Sequence, residues 1–184
     1  MFGSLLFELE DAWPTQAGTQ VAIGVDQAAI VIPGGGPIAR GIADLGFLVG
    51  GVWMTRSEST SVGERVEWGA GHSCLLTEVT QTVAGKPAGL ARGTFGYSPT
   101  KQYLMSNALS STGTYTAGYQ TGAPDATTWV FAMLCGSGAQ VMNVQVTMKH
   151  PAPDQLVIAQ AIQQGGAWVP QSSTTYHREL LSRT

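Results

Sequence analysis

Residues 92–115 read RGTFGYSPTKQYLMSNALSSTGTY. Pro99 and Gly113 mark two turns, and the residues between them have the makings of a strand. Successive side chains of a strand point to opposite faces. Tyr103, Met105, Asn107 and Leu109 therefore share one face, and Leu104, Ser106, Ala108 and Ser110 share the other. The first set carries a phenol, a thioether, an amide and an apolar branch, and it is the set expected to line an interior. On the next strand Tyr115, Ala117 and Tyr119 alternate with Thr114, Thr116, Gly118 and Gln120.

The same reading extends along the chain. Strands are expected at 52–60, 62–69, 72–82, 88–97, 102–110, 113–121, 127–135, 140–149, 154–163 and 171–179. Turn signals rich in Gly, Pro and Asp separate them. In VMNVQVTMK, residues 141–149, Met142, Val144, Val146 and Met148 alternate with Asn143, Gln145, Thr147 and Lys149. That is the pattern of a strand with one dry face. TWVFAMLC, residues 128–135, is apolar on both faces, so its outer face calls for a cover. Consecutive short strands joined by tight turns form an antiparallel meander, and closure into a barrel removes its edges.

The N-terminal part reads differently. Ser4 can cap a short helix over 4–12, two β segments surround Asp26, and GGGP at 34–37 is a break. Ile38, Ile42, Leu45 and Leu48 recur at helical spacing, which predicts a helix over 38–50 that plugs one barrel end.

Composition narrows the function classes. Charged residues are 11% of the 184 and the net charge is −3. The nine Lys and Arg form no stripe that would neutralise phosphates, so no nucleic-acid partner is expected. No apolar run reaches the roughly 18 to 20 residues of a membrane helix. No Lys or Arg precedes Arg40, which reads as a chain without a secretory signal, hence cytoplasmic. The low charge predicts surface hidden by self-association, a homodimer. Cys74 and Cys135 fit no metal spacing.

Four short segments, DLGFLVGGVW (44–53), GTFGYSPTKQYL (93–104), SSTGTY (110–115) and STTYHR (173–178), carry a resemblance. Over about residues 42–179 the chain resembles a family of bacterial lipocalin-like domains, similar in turn to lipocalins and to the heme-binding nitrobindins. Gly51-Val52-Trp53 stands at the family's Gly-x-Trp strand. Gly96-Tyr97, Lys101 and Tyr103 match its Gly-Tyr-Asp turn and the strand after it, with Ser98 in place of the Asp. Asp154 matches a turn Asp, and Tyr176-His177-Arg178 the closing Tyr-x-Arg. The resemblance implies that Trp53 closes one barrel end with Arg178 stacked on its indole. Acidic residues and a tryptophan of the family correspond here to Asn107, Leu109, Ala159 and Ser173, which implies a more apolar cavity.

The expectation is thus an all-β chain: an antiparallel calycin or lipocalin-like β-barrel of about eight to ten strands over 42–184, with a helical or hairpin extension over 1–41 that packs on the barrel or on a partner. Its expected ligand is a small hydrophobic or aromatic molecule held by Tyr103, Met105, Asn107, Leu109, Tyr115, Tyr119, Met142, Val144 and Met148. The alternative is a cofactor-free cyclase, isomerase or dehydratase acting on a hydrophobic secondary metabolite in the same cavity. His72 and Glu78, read as sharing a face about 20 Å apart, are its candidate acid–base groups. No metal or cofactor is expected. Heme on His177 is disfavoured because an inward Tyr176 turns His177 out, and His150, between Lys149 and Pro151, reads as a solvated turn residue.

Overall fold

One kind of tight turn recurs along the chain. Ala84 and Gly85 have φ of 49° and 74°, and Gly165 and Gly166 have φ of 56° and 82°. Paired positive φ values suit two-residue hairpins, whose twist matches that of the strands they join. The structure is a computed structural model that describes residues 41–138 and 140–180. The expectations for 1–40 lie outside the described residues.

A short 3-10 helix, Ile42–Leu48, precedes ten strands. These are β1 (Val52–Arg56), β2 (Thr60–Trp68), β3 (Cys74–Val83), β4 (Lys86–Ser98) and β5 (Tyr103–Ser110). They continue as β6 (Tyr115–Asp125), β7 (Thr128–Ser137), β8 (Gln140–Ala152), β9 (Gln155–Gln164) and β10 (Ala167–Glu179). Each strand pairs antiparallel with its sequence neighbours, and β1 pairs with β10, so the sheet closes into a calycin-like barrel. The seam is short: Val52, Trp53 and Met54 stand opposite Glu179, Arg178 and His177. Across its outside, Arg56 forms a two-toothed ion pair with Glu179.

The hydrophobic core lies inside the barrel. Trp53, Leu75, Phe95, Leu104, Phe131, Met133 and Tyr176 are all essentially inaccessible. Burial of each such side chain stabilises by about 1.5–3 kcal/mol. One end is plugged as expected. Leu45 and Leu48 of the 3-10 helix are fully buried, and the Trp53 indole N–H donates to the Leu48 carbonyl at 2.9 Å. The Arg178 guanidinium lies 4.5 Å from the indole centroid and donates to the Phe47 carbonyl.

Three expectations are corrected. On β5 the inner face is Leu104, Ser106, Ala108 and Ser110, whereas Met105 and Leu109 are 42% and 59% exposed. Register explains the choice: Ser106 stands opposite Phe95 and Ala108 opposite Gly93, so the small side chains leave room for the Phe95 ring. Gly93 itself is crowded, because a Cβ there would lie 2.9 Å from the Ala108 Cβ. Asn107, Leu109, Ala159 and Ser173 all sit on the outer wall, so the replacements at these positions do not make the interior more apolar. Second, β3 begins at Cys74; His72 belongs to a 3-10 turn and shares no strand face with Glu78. Third, β8 runs to Ala152, which carries His150 into the wall rather than a solvated turn; it is half-buried, its ring 4.0 Å from that of Phe47.

Candidate functional site

The inner wall is not uniformly apolar. In register around seven strands run Val66, Thr77, Gly93, Ala108, Thr116, Cys135 and Met142. The middle of this ring is built from small or hydroxyl-bearing side chains. Toward the plugged end the next ring is bulkier: Leu75, Phe95, Ser106, Gly118, Met133 and Val144. Phe95 and Phe131 meet edge to face with centroids 6.2 Å apart. The interior therefore narrows from a light, partly polar belt to a heavy aromatic floor.

Buried polar groups occur at several levels of the inner wall, from Glu64 and Thr116 to Gln120 and Gln160 in register with Phe131. Glu64 on β2 is fully buried, between Val62 and Val66 on the inward face and opposite Trp53 in register. Thr77, Ser106, Thr116, Gln120 and Gln160 are also buried. The Thr116 hydroxyl is 1% exposed and has no hydrogen-bond partner among the described residues. A buried hydroxyl left in that state costs about 1–3 kcal/mol. Met148 and Val144 are fully buried on β8, and Met142 packs against the core, so these three expected lining residues do face inward.

The other expected residues lie outside. Tyr103 and Tyr119 meet at a 31° tilt on the outer wall with centroids 5.0 Å apart, and Tyr119's phenol is pushed up by burial and then by Tyr103. Tyr115 stands opposite Leu109, and a Cβ on Gly136 would run into the Tyr115 ring, so that ring lies flat on the sheet. The Asn107 amide donates to the Thr94 hydroxyl at 3.0 Å. Glu78 accepts from Arg92 at 2.9 Å on the exterior, and His72 stacks on Trp68 at 4.9 Å. His177 is exposed and stands opposite Met54. Neither His72 nor Glu78 reaches the lumen.

An open groove of about 470 Å³ crosses the outside of β2–β5, lined by Arg65, Glu67, Leu76, Glu78, Arg92 and Asn107. Its charges are paired, Arg65 with Glu67 and Arg92 with Glu78. An exposed pair of this kind is a weak attractor for a further ion.

At the plugged end His150 sits between Phe47, at 4.0 Å, and the edge of Trp53, at 6.2 Å. Its pKa is lowered by burial and by the Arg178 charge, against a hydrogen bond with the Pro153 backbone. Among the described residues no group of three or more His, Cys, Asp or Glu could hold a metal ion, and no helix is long and apolar enough to cross a membrane.

Glu64 is the residue the sequence reading missed. Its signal was present: in TSVGERVEW a carboxylate occupies the alternation position flanked by two inward valines. No protein-family model matches the chain, and no curated protein matches it.

Proposed function

We propose that the barrel binds a small hydrophobic or aromatic molecule carrying one or two hydrogen-bonding groups, with its apolar body among Phe95, Phe131, Met133 and Met148. The Thr116 hydroxyl carries this reading, as a buried polar group on the light belt with no partner among the described residues. A ligand oxygen or N–H would satisfy it, and Glu64 offers a second polar anchor on the other side of the ring. Ten strands enclose a wider interior than the roughly eight whose side chains just fill it. The Trp53–Arg178 closure supports kinship with lipocalin-like barrels, which we offer on that feature and on the motif resemblance.

A second reading, a cofactor-free enzyme, is favoured by Glu64 alone. A carboxyl group on a low-dielectric inner wall is suited to general acid–base work on a bound substrate.

Native mass spectrometry of protein purified from its own host tests the binding reading. A co-purifying small molecule, depleted in Thr116→Val, is the expected result. Protein that carries none, and that shifts no fluorescence of a neutral apolar probe on mixing, overturns it. Glu64→Gln separates the two readings: weakened retention marks an anchor, and intact retention with lost turnover marks an acid–base group.

A further inference from the structure

We propose that the outer wall of β5–β8 is the face through which two copies of this chain associate. Three register rows of four residues define it, beginning at Leu109, Asn107 and Met105 on β5 and ending at Val141, Asn143 and Gln145 on β8. None of these positions carries a charge, whereas the adjoining wall of β2–β4 holds Arg65, Glu67, Glu78 and Arg92. Three of the chain's large exposed hydrophobics lie here: Met105 at 42%, Leu109 at 59% and Val141 at 48%. Leu109 and Val141 end the same row, with Tyr115 lying flat over Gly136 between them. Apart from the Tyr115 hydroxyl the row is apolar, and it has no ridge in its middle.

The charge pattern selects a second copy as the occupant. A two-fold axis sets residues near it against their own duplicates, where any charge would repel itself. Apolar groups do not, and Asn and Gln amides, which both donate and accept, can pair with themselves. Size points to a weak, concentration-dependent dimer. Four strands span roughly 19 Å and β5 runs roughly 27 Å, so the wall offers about 500 Å², below the ~800 Å² per partner of a standard interface. The face is separate from the lumen, and association through it is independent of what the barrel binds.

Sedimentation velocity on the full 184-residue chain, over a concentration series, tests this. A species of twice the chain mass is expected, reverting to one chain mass in Leu109→Arg with the β circular-dichroism signature retained. Should that variant not fold, Val141→Lys at the other end of the row replaces it with the same expectation. A dimer that survives a folded variant overturns the proposal, because its interface is elsewhere. A wild-type monomer at every concentration overturns it too. Methionine-oxidation footprinting of Met105 in that monomer then tells a wall covered by residues 1–40, where Met105 is protected, from one left bare.

Discussion

Thr116 and Ala84 are single positions at which the chain holds a conformation or a group against its local preference. The Thr116 hydroxyl is buried with no partner among the described residues, so its isosteric replacement by Val should stabilise the ligand-free protein by about 1 kcal/mol. The same change should weaken retention of a ligand hydrogen-bonded there by about fivefold. Chemical denaturation and ligand occupancy, measured on the same preparations, should thus move in opposite directions. If the hydroxyl served only packing, both would stay put. Ala84 has a φ of 49°, a left-handed conformation that costs a side chain with a Cβ about 1–2 kcal/mol. Asn tolerates that region and is favoured in the first position of such a hairpin. Ala84→Asn should therefore raise the urea midpoint by an amount worth about 1 kcal/mol, with the slope of the transition unchanged.

At the scale of the element, the 3-10 helix, β1 and β10 depend on one another. Trp53 donates to the Leu48 carbonyl and lies under Arg178, which in turn donates to the Phe47 carbonyl. Trp53→Phe removes the first hydrogen bond and leaves a void, at an expected cost of about 2–3 kcal/mol. A double-mutant cycle of Trp53→Phe with Arg178→Met should show a coupling of about 1 kcal/mol, read from denaturation midpoints. Additive effects would mean that the stack is contact without energy. This closure was anticipated only through the resemblance to lipocalin-like barrels carried by Gly51-Val52-Trp53 and Tyr176-His177-Arg178. Most strand boundaries were legible in the sequence, because most turns carry a Gly or Pro; the β1–β2 turn, Ser57-Glu58-Ser59, and the β6–β7 turn, Ala126-Thr127, carry neither, and Gly63 lies inside β2. The facing of β5 was not. Alternation divides its residues into two sets without saying which is inside, and the larger set by volume went outward. The deciding fact is the register across the Pro99 turn, which puts Ser106 opposite Phe95. Alternation sufficed on β8 because only one of its faces is apolar. On β2 it would have sufficed as well, since Val62 and Val66 fix the inner face and leave Glu64 as the anomaly.

For the molecule as a whole, closure rests on its shortest strand pair. β1 and β10 share three register pairs, whereas β9 and β10 share ten. Three groups whose pKa values are lowered, Glu179, Asp125 and His150, lie toward the plugged end of the barrel. Glu179 is held low by its hydrogen bond to Arg56 across the seam, and Asp125 by the Thr127 backbone N–H, the Thr127 hydroxyl and then the Thr128 hydroxyl. His150 is held low chiefly by burial against the plug. All three act with one sign. A depressed carboxylate stabilises above its unfolded pKa, and that contribution is lost as pH falls through the folded value. A depressed histidine is neutral in both states above about 6.5. Below that the unfolded chain takes up a proton that the folded one resists, so stability again falls with pH. Acid should therefore weaken the barrel in two stages, first below about 6.5 through His150 and then in the carboxylate range. Melting temperature followed as a function of pH should show both limbs. His150→Phe keeps an aromatic ring for Phe47 to stack on and cannot titrate, so it should flatten the first limb and spare the second. Hydrogen exchange at the lower edge of the first limb should loosen β1 and the end of β10 near Arg178 before β8 or β9. Uniform loss of protection around the barrel would show instead that the seam opens only with the whole sheet.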